Sequence, residues 1–413
     1  MNTNHKKQVC SRRFLNPGCL NQHLNTFGET LVEKGFTPLT VRGYIDSVAH
    51  FGGWLQKEGK VLGDIDLDCV NEFAKHHCNC QGGRKKRSVS RKYVKRLLKF
   101  VMYLDERGII KVRTVQHDSL PPVIASFTEY LKDRGLRPVT IKQYRCSMLL
   151  LLPKLGPNTE KYNIALIQQV VCDATQSLSR TAAAHVTVGL RAYLRFLSLN
   201  SLCLADLDKA VPTIAQWSLS SIPKYISSND VEAVINACDI NINKGLRDRA
   251  IILLLARLGL RAGDIVDMQL DDINWSKGTL TVWGKGQRES RLPLPQEVGD
   301  AILVYLNKVR PHITNTSLFL CLNAPFRALG NASCVSSIVG AALKRTSIKN
   351  LPSYGAHLLR HSVATSLLRQ GVTLEAISTL LRHSTLDMTM YYAKVDVPSL
   401  LKIAQPWPEE GVC

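Results

Sequence analysis

The chain has 413 residues, a length that suggests about three domains. Hydrophobic residues make up 45% and charged residues 21%; that balance excludes wholesale disorder, no apolar run approaches the roughly 18 residues of a membrane span, and the opening MNTNHKKQVCSRRF lacks the apolar stretch of a secretory signal. Lys and Arg total 53 against 33 Asp and Glu, a formal +20, and the natural partner of such a surplus is a polyanion, nucleic acid before all others.

After an N-terminal tail, residues 1–20, the chain opens on an internal repeat. Residues 27–44, FGETLVEKGFTPLTVRGY, align without a gap to residues 127–144, FTEYLKDRGLRPVTIKQY. Phe27, Glu29, Leu31, Gly35, Pro38, Thr40 and Tyr44 recur as Phe127, Glu129, Leu131, Gly135, Pro138, Thr140 and Tyr144. Each copy reads as an amphipathic helix, a Gly stop and a Pro-x-Thr start into a second helix. Each closes on a basic-apolar helix, over residues 89–107 and 184–199. Leu97, Phe100, Val101 and Leu104 share one face of the first, and Leu190, Tyr193, Leu194 and Leu197 one face of the second. Two similar all-α domains are therefore expected, at 21–112 and 118–205. Leading into the first closing helix and along its first turns, between Gly82 and Lys99, lies a run of cations that includes Arg84, Lys85, Lys86, Arg87, Arg91, Lys92, Lys95 and Arg96. A solvated face is the ordinary role of such a run. Its place between Gly-Gly and a helix start favours phosphate contact, positioning a duplex without reading its sequence.

The 12 cysteines are scattered and form no disulfide framework, which fits reduced thiols in a cytosolic compartment. His76, His77, Cys78 and Cys80 are close enough to suggest zinc. Ligands crowded into five consecutive residues make a cramped site, however, and no second CxxC pair accompanies them, so no metal site is expected. A linker at 206–227 carries Pro212, Pro223 and many serines.

A larger domain is expected over 228–402, followed by a tail at 403–413. Ser228, Asn229 and Asp230 read as the cap of a helix. Leu246 to Leu258 is apolar almost all round and should be buried. A short strand near Asp272–Trp275 precedes a hairpin, with Thr279–Trp283 going out, Gly284-Lys285-Gly286-Gln287 turning and Ser290–Leu294 returning. The rest is mostly helical. On one helix His357, Arg360, His361 and Ala364 share a side, with Leu359, Val363, Ser366 and Leu367 opposite, facing the core. Thr373 starts a further helix that Arg382-His383 ends, and Ser384 with Asp387 reads as a capping box for the next. Arg261 emerges where the buried helix stops, and Asp264, one turn on, can hold its guanidinium. Taken singly these pairs are weak signals. An i,i+3 Arg–Asp pair is more often structural, HxxR is commonly a surface pair, and Leu-Leu-Arg-His followed by Tyr could belong to a helix-turn-helix.

Their order and spacing are far more specific. Gly259-Leu260-Arg261, then the Gly-Lys-Gly hairpin, then HLLRH over 357–361, then His383 with Tyr392 nine residues later, together resemble the tyrosine recombinase family of phage-integrase-like enzymes. The resemblance implies a mainly α, multidomain chain: two SAM-like all-α core-binding domains, where one is usual, and an α-rich catalytic domain with a small antiparallel β-sheet. It implies that Arg261, Lys285, His357, Arg360, His383 and Tyr392 are catalytic, with Asp264 supporting Arg261. Tyr391 is the competing hydroxyl, about 100° away on a helix. Arg382 departs from the family, which often has Gly before this histidine.

The implied chemistry suits these residue types. Guanidiniums clamp the phosphate oxygens and stay charged at any working pH. Tyr392 is the nucleophile, His357 accepts its proton, and Lys285 protonates the leaving 5′ oxygen. The resulting 3′-phosphotyrosyl link retains the ester's energy, so no cofactor is expected. The sequence has neither a Walker loop nor the clustered carboxylates of a two-metal site. The implied partners are double-stranded DNA and further copies of the chain, forming a tetramer through exchange of the C-terminal tail, with sister recombinases or accessory factors possible and no membrane. The expected setting is prokaryotic, cytoplasmic and nucleoid-associated, in the service of a mobile element. A type IB topoisomerase and a non-catalytic DNA-binding protein of the same fold are the alternatives; the doubled helical domain argues against the first and the intact set of six against the second.

Overall fold

The computed structural model describes residues 17–76, 89–111, 121–215, 222–284, 288–395 and Leu401. The predicted residues Arg84, Lys85, Lys86, Arg87 and Lys285, the remaining tail and the trio His77, Cys78 and Cys80 lie outside them. Among the described residues no group of three or more His, Cys, Asp or Glu side chains could hold a metal. Among them, too, no helix is long and apolar enough to cross a membrane.

In chain order the helices begin with α1 (Asn21–Glu33), α2 (Pro38–Lys57), α3 (Leu67–Lys75) and α4 (Arg91–Glu106). Next come α5 (Pro122–Asp133), α6 (Pro138–Leu155), α7 (Ile164–Thr175) and α8 (Arg180–Leu199). The repeat seen in the sequence thus returns as two four-helix series. In both copies the predicted Gly stop takes positive φ, +79° at Gly35 and +70° at Gly135, and the following proline opens the next helix at its first position. Both closing helices differ slightly from expectation. Ser90 caps α4 by accepting from the Tyr93 N–H, and Ser179 caps α8, which begins at Arg180, four residues ahead of the predicted start. Their apolar faces are as expected: Leu97, Phe100, Val101, Leu104, Leu190, Tyr193, Leu194 and Leu197 are all buried.

By their packing the described residues divide into two compact units, those within Met1–Gly59 and Leu219–Cys413, and those within Lys60–Cys78 and Lys86–Ser218. In the second unit one core gathers Ile124, Phe127, Met148, Tyr162, Ile167, Leu190 and Tyr193 from α5 to α8. Phe127 meets Tyr193 edge-on at 5.3 Å between ring centroids, a favoured aromatic geometry.

The first unit contains the remaining elements: α9 (Ser228–Asn236), α10 (Asn243–Leu258), α11 (Ala262–Asp267), α12 (Gln296–Lys308), α13 (Ala332–Leu343), α14 (His357–Arg369), α15 (Leu374–Leu381) and α16 (Asp387–Met390). A 3-10 segment, Tyr391–Val395, continues α16. Helix α10 is the hub: Ile251 to Leu255 are wholly buried, as an all-round apolar helix must be. α12 and α14 pack against it. Arg257 on α10 ties α9 to α12 through Glu232 at 2.6 Å and Glu297 at 2.9 Å. Strands β1 (Ile273–Asn274), β2 (Thr279–Trp283) and β3 (Glu289–Pro293) form an antiparallel sheet in sequence order. Leu280 pairs with Leu292 and Val282 with Ser290, so the alternation puts Leu280, Val282 and Leu292 on the core side.

Three local expectations are corrected. The cap of α9 is Ser227, one residue earlier than read, because its hydroxyl and the Asp230 carboxylate close a reciprocal capping box. Ser384 and Asp387 form no such box: α16 starts at Asp387 itself, behind Leu386, and the Ser384 hydroxyl turns to the Met388 sulfur at 3.4 Å. Helix α14 is enclosed on more than one side. Leu358, Ser362, Ala364 and Thr365 are buried along with Leu359, whereas Val363, Ser366 and Leu367 are only half-buried. A helix between α10 and α15 has two packed faces, which a single-stripe reading cannot anticipate.

Candidate active site

The site is built around the end of α10. Gly259 ends that helix in the left-handed region at φ +58°, where glycine alone is at ease. The next residues, Leu260 and Arg261, turn the chain into α11. The Arg261 N–H donates to Asp264 Oδ2 at 2.7 Å, so the carboxylate three residues on caps the helix.

Arg360, on α14, is 3% exposed. Its guanidinium donates to the carbonyls of Gly259 and Leu381, joining the end of α10 to the end of α15. Burial first, then the charge of Arg261, lowers its pKa to about 10. At neutral pH it remains a cation. Arg261 is half-buried and donates Nη2 to the Arg382 carbonyl at 3.1 Å. Burial lowers its pKa as well, and Asp264 opposes the shift.

The expected contact between the Asp264 carboxylate and the Arg261 guanidinium is not made. Oδ2 is taken instead by Arg382 Nη2 at 2.5 Å. Arg382, the departure noted in the sequence, is the C-cap of α15 at φ +55°, which turns its side chain back toward α11.

Tyr392 is 2% exposed and belongs to a small satellite core with Ala364, Ile377 and Leu381. Its hydroxyl lies 2.8 Å from His361 Nδ1. Its ring stacks on His383, with centroids 6.4 Å apart and planes 2° from parallel. Burial pushes its pKa up to about 12; Arg360 and, more weakly, Arg261 pull against that rise, while Tyr391 adds to it. The neighbouring Tyr391 is half-buried, and its ring meets Tyr392 edge-on at 5.7 Å. His383 Nδ1 pairs with the Thr389 hydroxyl at 2.7 Å. Burial and then the nearby arginine charges lower His383 to about 4; burial, His357 and Arg360 do the same for His361. Both rings are neutral at pH 7. His357, exposed at the start of α14, has a pKa lowered by desolvation and by Arg360, and its ring is 6.1 Å from His361.

Of the six predicted catalytic residues, Arg261, Arg360, His383 and Tyr392 therefore converge, with His357 one ring further out. Lys285 belongs to the hairpin turn outside the described residues. The side chain that sequence reasoning passes over is His361. Periodicity groups it with His357 and Arg360 on one helix side, yet the resemblance gives the tyrosine proton to His357. The signal is there: residues four apart on a helix lie on one face, so the second histidine of HLLRH looks toward the same centre. Of the predicted DNA-contacting residues, Arg91, Lys92 and Lys95 are exposed on α4 and Arg96 is half-buried.

The arrangement places a buried phenol among guanidiniums and neutral imidazoles. That environment suits an attack on a phosphodiester, because fixed cations oppose the charge that develops.

Comparison with known proteins agrees with this chemistry. Residues 224–398 match the phage integrase family. A relative named integrase/recombinase y4rA, from Sinorhizobium fredii (strain NBRC 101917 / NGR234), is 35% identical over 93% of this chain and 94% of that protein. The tyrosine recombinase XerD of Staphylococcus epidermidis (strain ATCC 35984 / DSM 28319 / BCRC 17069 / CCUG 31568 / BM 3577 / RP62A) is 27% identical over 68% of this chain and 96% of its own. Among solved structures, the fold is similar to the XerH site-specific recombinase bound to palindromic difH substrate, with a TM-score of 0.55 at 18% identity over 68% of this chain and 85% of that one. It is also similar to a lambda integrase dimer bound to a COC′ core site, with a TM-score of 0.53 at 15% identity over 71% and 99%. With 35% identity running almost end to end, this chain belongs to the phage integrase family and is a tyrosine site-specific recombinase.

Proposed function

We propose that this recombinase cuts and rejoins double-stranded DNA with Tyr392 as its nucleophile. The Tyr392 oxygen attacks the scissile phosphorus, the bond to the 5′ oxygen breaks, and a 3′-phosphotyrosyl link forms. The phenolic proton passes to His361, which holds the hydroxyl. Lys285 supplies the proton that the departing 5′ oxygen takes. Arg261 and Arg360 stabilise the phosphate charge, each donor contributing about 3 kcal/mol if it behaves like comparable oxyanion donors. His383 and the exposed His357 complete the set of phosphate hydrogen bonds, and Asp264 orders the turn that carries Arg261. Rejoining reverses the steps, with neither nucleotide nor metal taking part.

The observation that carries this reading is the Tyr392 hydroxyl, buried and 2.8 Å from a neutral imidazole within reach of two arginine charges. The rest follows the family. Helical domains at 21–112 and 118–205, a linker at 206–227 and a catalytic domain at 228–402 hold the duplex, with Arg84, Lys85, Lys86, Arg87, Arg91, Lys92, Lys95 and Arg96 on its phosphates. Copies exchange C-terminal tails in a tetramer, sister recombinases or accessory factors join it, and the work is integration, excision or transposition of a mobile element at a prokaryotic nucleoid. The crystallised neighbours bound to DNA, among them a lambda integrase tetramer bound to a Holliday junction, support duplex DNA and assembly of several copies.

The test begins with covalent junctions trapped by detergent on host genomic DNA and mapped to the nucleotide. The mapped site is then rebuilt as a nicked duplex whose cut fragment diffuses away. Wild type accumulates a covalent adduct on it, with or without EDTA, whereas Tyr392→Phe yields none. An adduct that persists in Tyr392→Phe overturns the assignment.

A further inference from the structure

A carboxylate three residues from an arginine on a helix ordinarily takes its guanidinium. Asp264 does not take that of Arg261, because another cation holds it. Arg382 Nη2 occupies Asp264 Oδ2 at 2.5 Å, with the two side chains only 7% and 9% exposed. Arg261 donates its backbone N–H to that same oxygen and its Nη2 to the Arg382 carbonyl. The two arginines are thus linked twice, once through the carboxylate and once directly.

Two further observations make this bridge more than packing. Arg382 takes a left-handed backbone conformation, φ +55°, that a glycine would adopt without strain; such strain persists only where the surroundings over-determine it. Its Nε and Nη1 are buried with no hydrogen-bond partner among the described residues. The guanidinium is therefore fixed at one nitrogen by Asp264, beside the cations that face substrate. If Arg382 were absent, Asp264 would be a buried carboxylate with Arg261 as the nearest cation, and an uncompensated buried charge finds whatever partner it can reach.

We propose that Arg382 is a positioning residue which, by holding the Asp264 carboxylate, keeps the Arg261 guanidinium off it and directed to the phosphodiester. The inference rests on the phosphoryl-transfer reading of the site. It assigns a task to a residue that touches no reacting atom and acts through Arg261.

Single-turnover adduct formation on the mapped, nicked site tests it with full-length protein. Arg382→Gly suits the backbone and should still slow the reaction at least about tenfold, approaching the roughly hundredfold expected when one transition-state cation is diverted outright. Asp264→Asn keeps an oxygen for the Arg261 N–H while removing the charge, and alone should slow it by about threefold. Combining the two should restore most of the rate that Arg382→Gly forfeits, because the competing carboxylate is gone. A packing role would make the two effects add instead. A double variant no faster than Arg382→Gly, or an Arg382→Gly as fast as wild type, overturns the proposal. Should Arg382→Gly fail to melt cooperatively, Arg382→Asn, which tolerates left-handed backbone, is read against its own double with Asp264→Asn by the same criterion. Wild type forming no adduct at all would instead sink the underlying reading of the site.

Discussion

Arg360 commits its guanidinium to two backbone carbonyls, Gly259 and Leu381, before any DNA arrives. A residue read from the sequence as catalytic is therefore also structural, and the two roles separate by substitution. Arg360→Ala leaves two buried carbonyls unsatisfied, at about 1–3 kcal/mol each before water enters. Its melting temperature should fall clearly, and its cleavage should be abolished as well. Arg360→Lys restores charge without the fork, so it should recover part of the stability and little of the activity. His361 adds a pH dependence of definite sign. Its folded pKa, about 4, lies below the ordinary 6.5, so the folded state favours the neutral ring. The unfolded chain binds the extra proton between those values, and stability must drop as pH falls from 6.5 toward 4. His383 shifts the same way and acts in the same window. Thermal melts of His361→Asn against wild type, at about pH 4.5 inside that window and about pH 7.5 above it, read the difference. The gap between the proteins should narrow or reverse at the acid end. A pH-independent gap would show that His361 titration does not couple to folding.

At the scale of elements, the site is a meeting of helix ends rather than a pocket lined by strands. Gly259 closes α10, Leu381 and Arg382 close α15, and Arg360 stitches the two together. This makes Gly259 a sharp probe. A Cβ there would sit 2.6 Å from Leu381 Cδ2, on a backbone already at φ +58°. Gly259→Ala should destabilise by about 1–3 kcal/mol, and chemical denaturation would register it as a lower midpoint with an unchanged slope. Leu381→Ala alone empties a buried core position and should cost about 2–5 kcal/mol; because it also removes the clash, the double variant should lose less than the sum of the two single losses. Much of this was legible in the sequence. The all-apolar stretch ending at Leu258-Gly259 announced a buried helix and its stop, alternation announced β2 and its return strand, and the Gly and Pro of each repeat announced helix ends. What stayed hidden depended on tertiary neighbours. Asp264 has two possible partners, and spacing along the chain reveals only Arg261; Arg382 reaches it from 118 residues away. His361 and His357 are equivalent by periodicity, and only the fold decides which one meets Tyr392. The two-sided burial of α14 was invisible for the same reason.

For the whole molecule, the formal charge of +20 and the duplicated helical series lead to a prediction about affinity. Binding through phosphates releases counterions, so the logarithm of the affinity should fall linearly with the logarithm of salt, by about 0.9 per phosphate neutralised. Arg91, Lys92 and Lys95 are exposed on α4, in the first series. If they lie against the duplex, replacing all three with Gln should weaken binding to the mapped site and to unrelated DNA by similar factors, since phosphates carry no sequence. The slope should become shallower by about 0.9 for each phosphate that no longer meets a cation, up to about 3 units for the triple variant. Fluorescence anisotropy across a salt series reads both quantities on full-length protein. The paired outcome matters: a solvated face would leave the slope unchanged, whereas base-reading residues would lower affinity for the specific site alone. Cleavage of saturated complexes should persist in the triple variant, because none of the three belongs to the group around Tyr392. Weaker affinity, a shallower slope and intact chemistry together would place α4 on the DNA and would separate holding the duplex from cutting it.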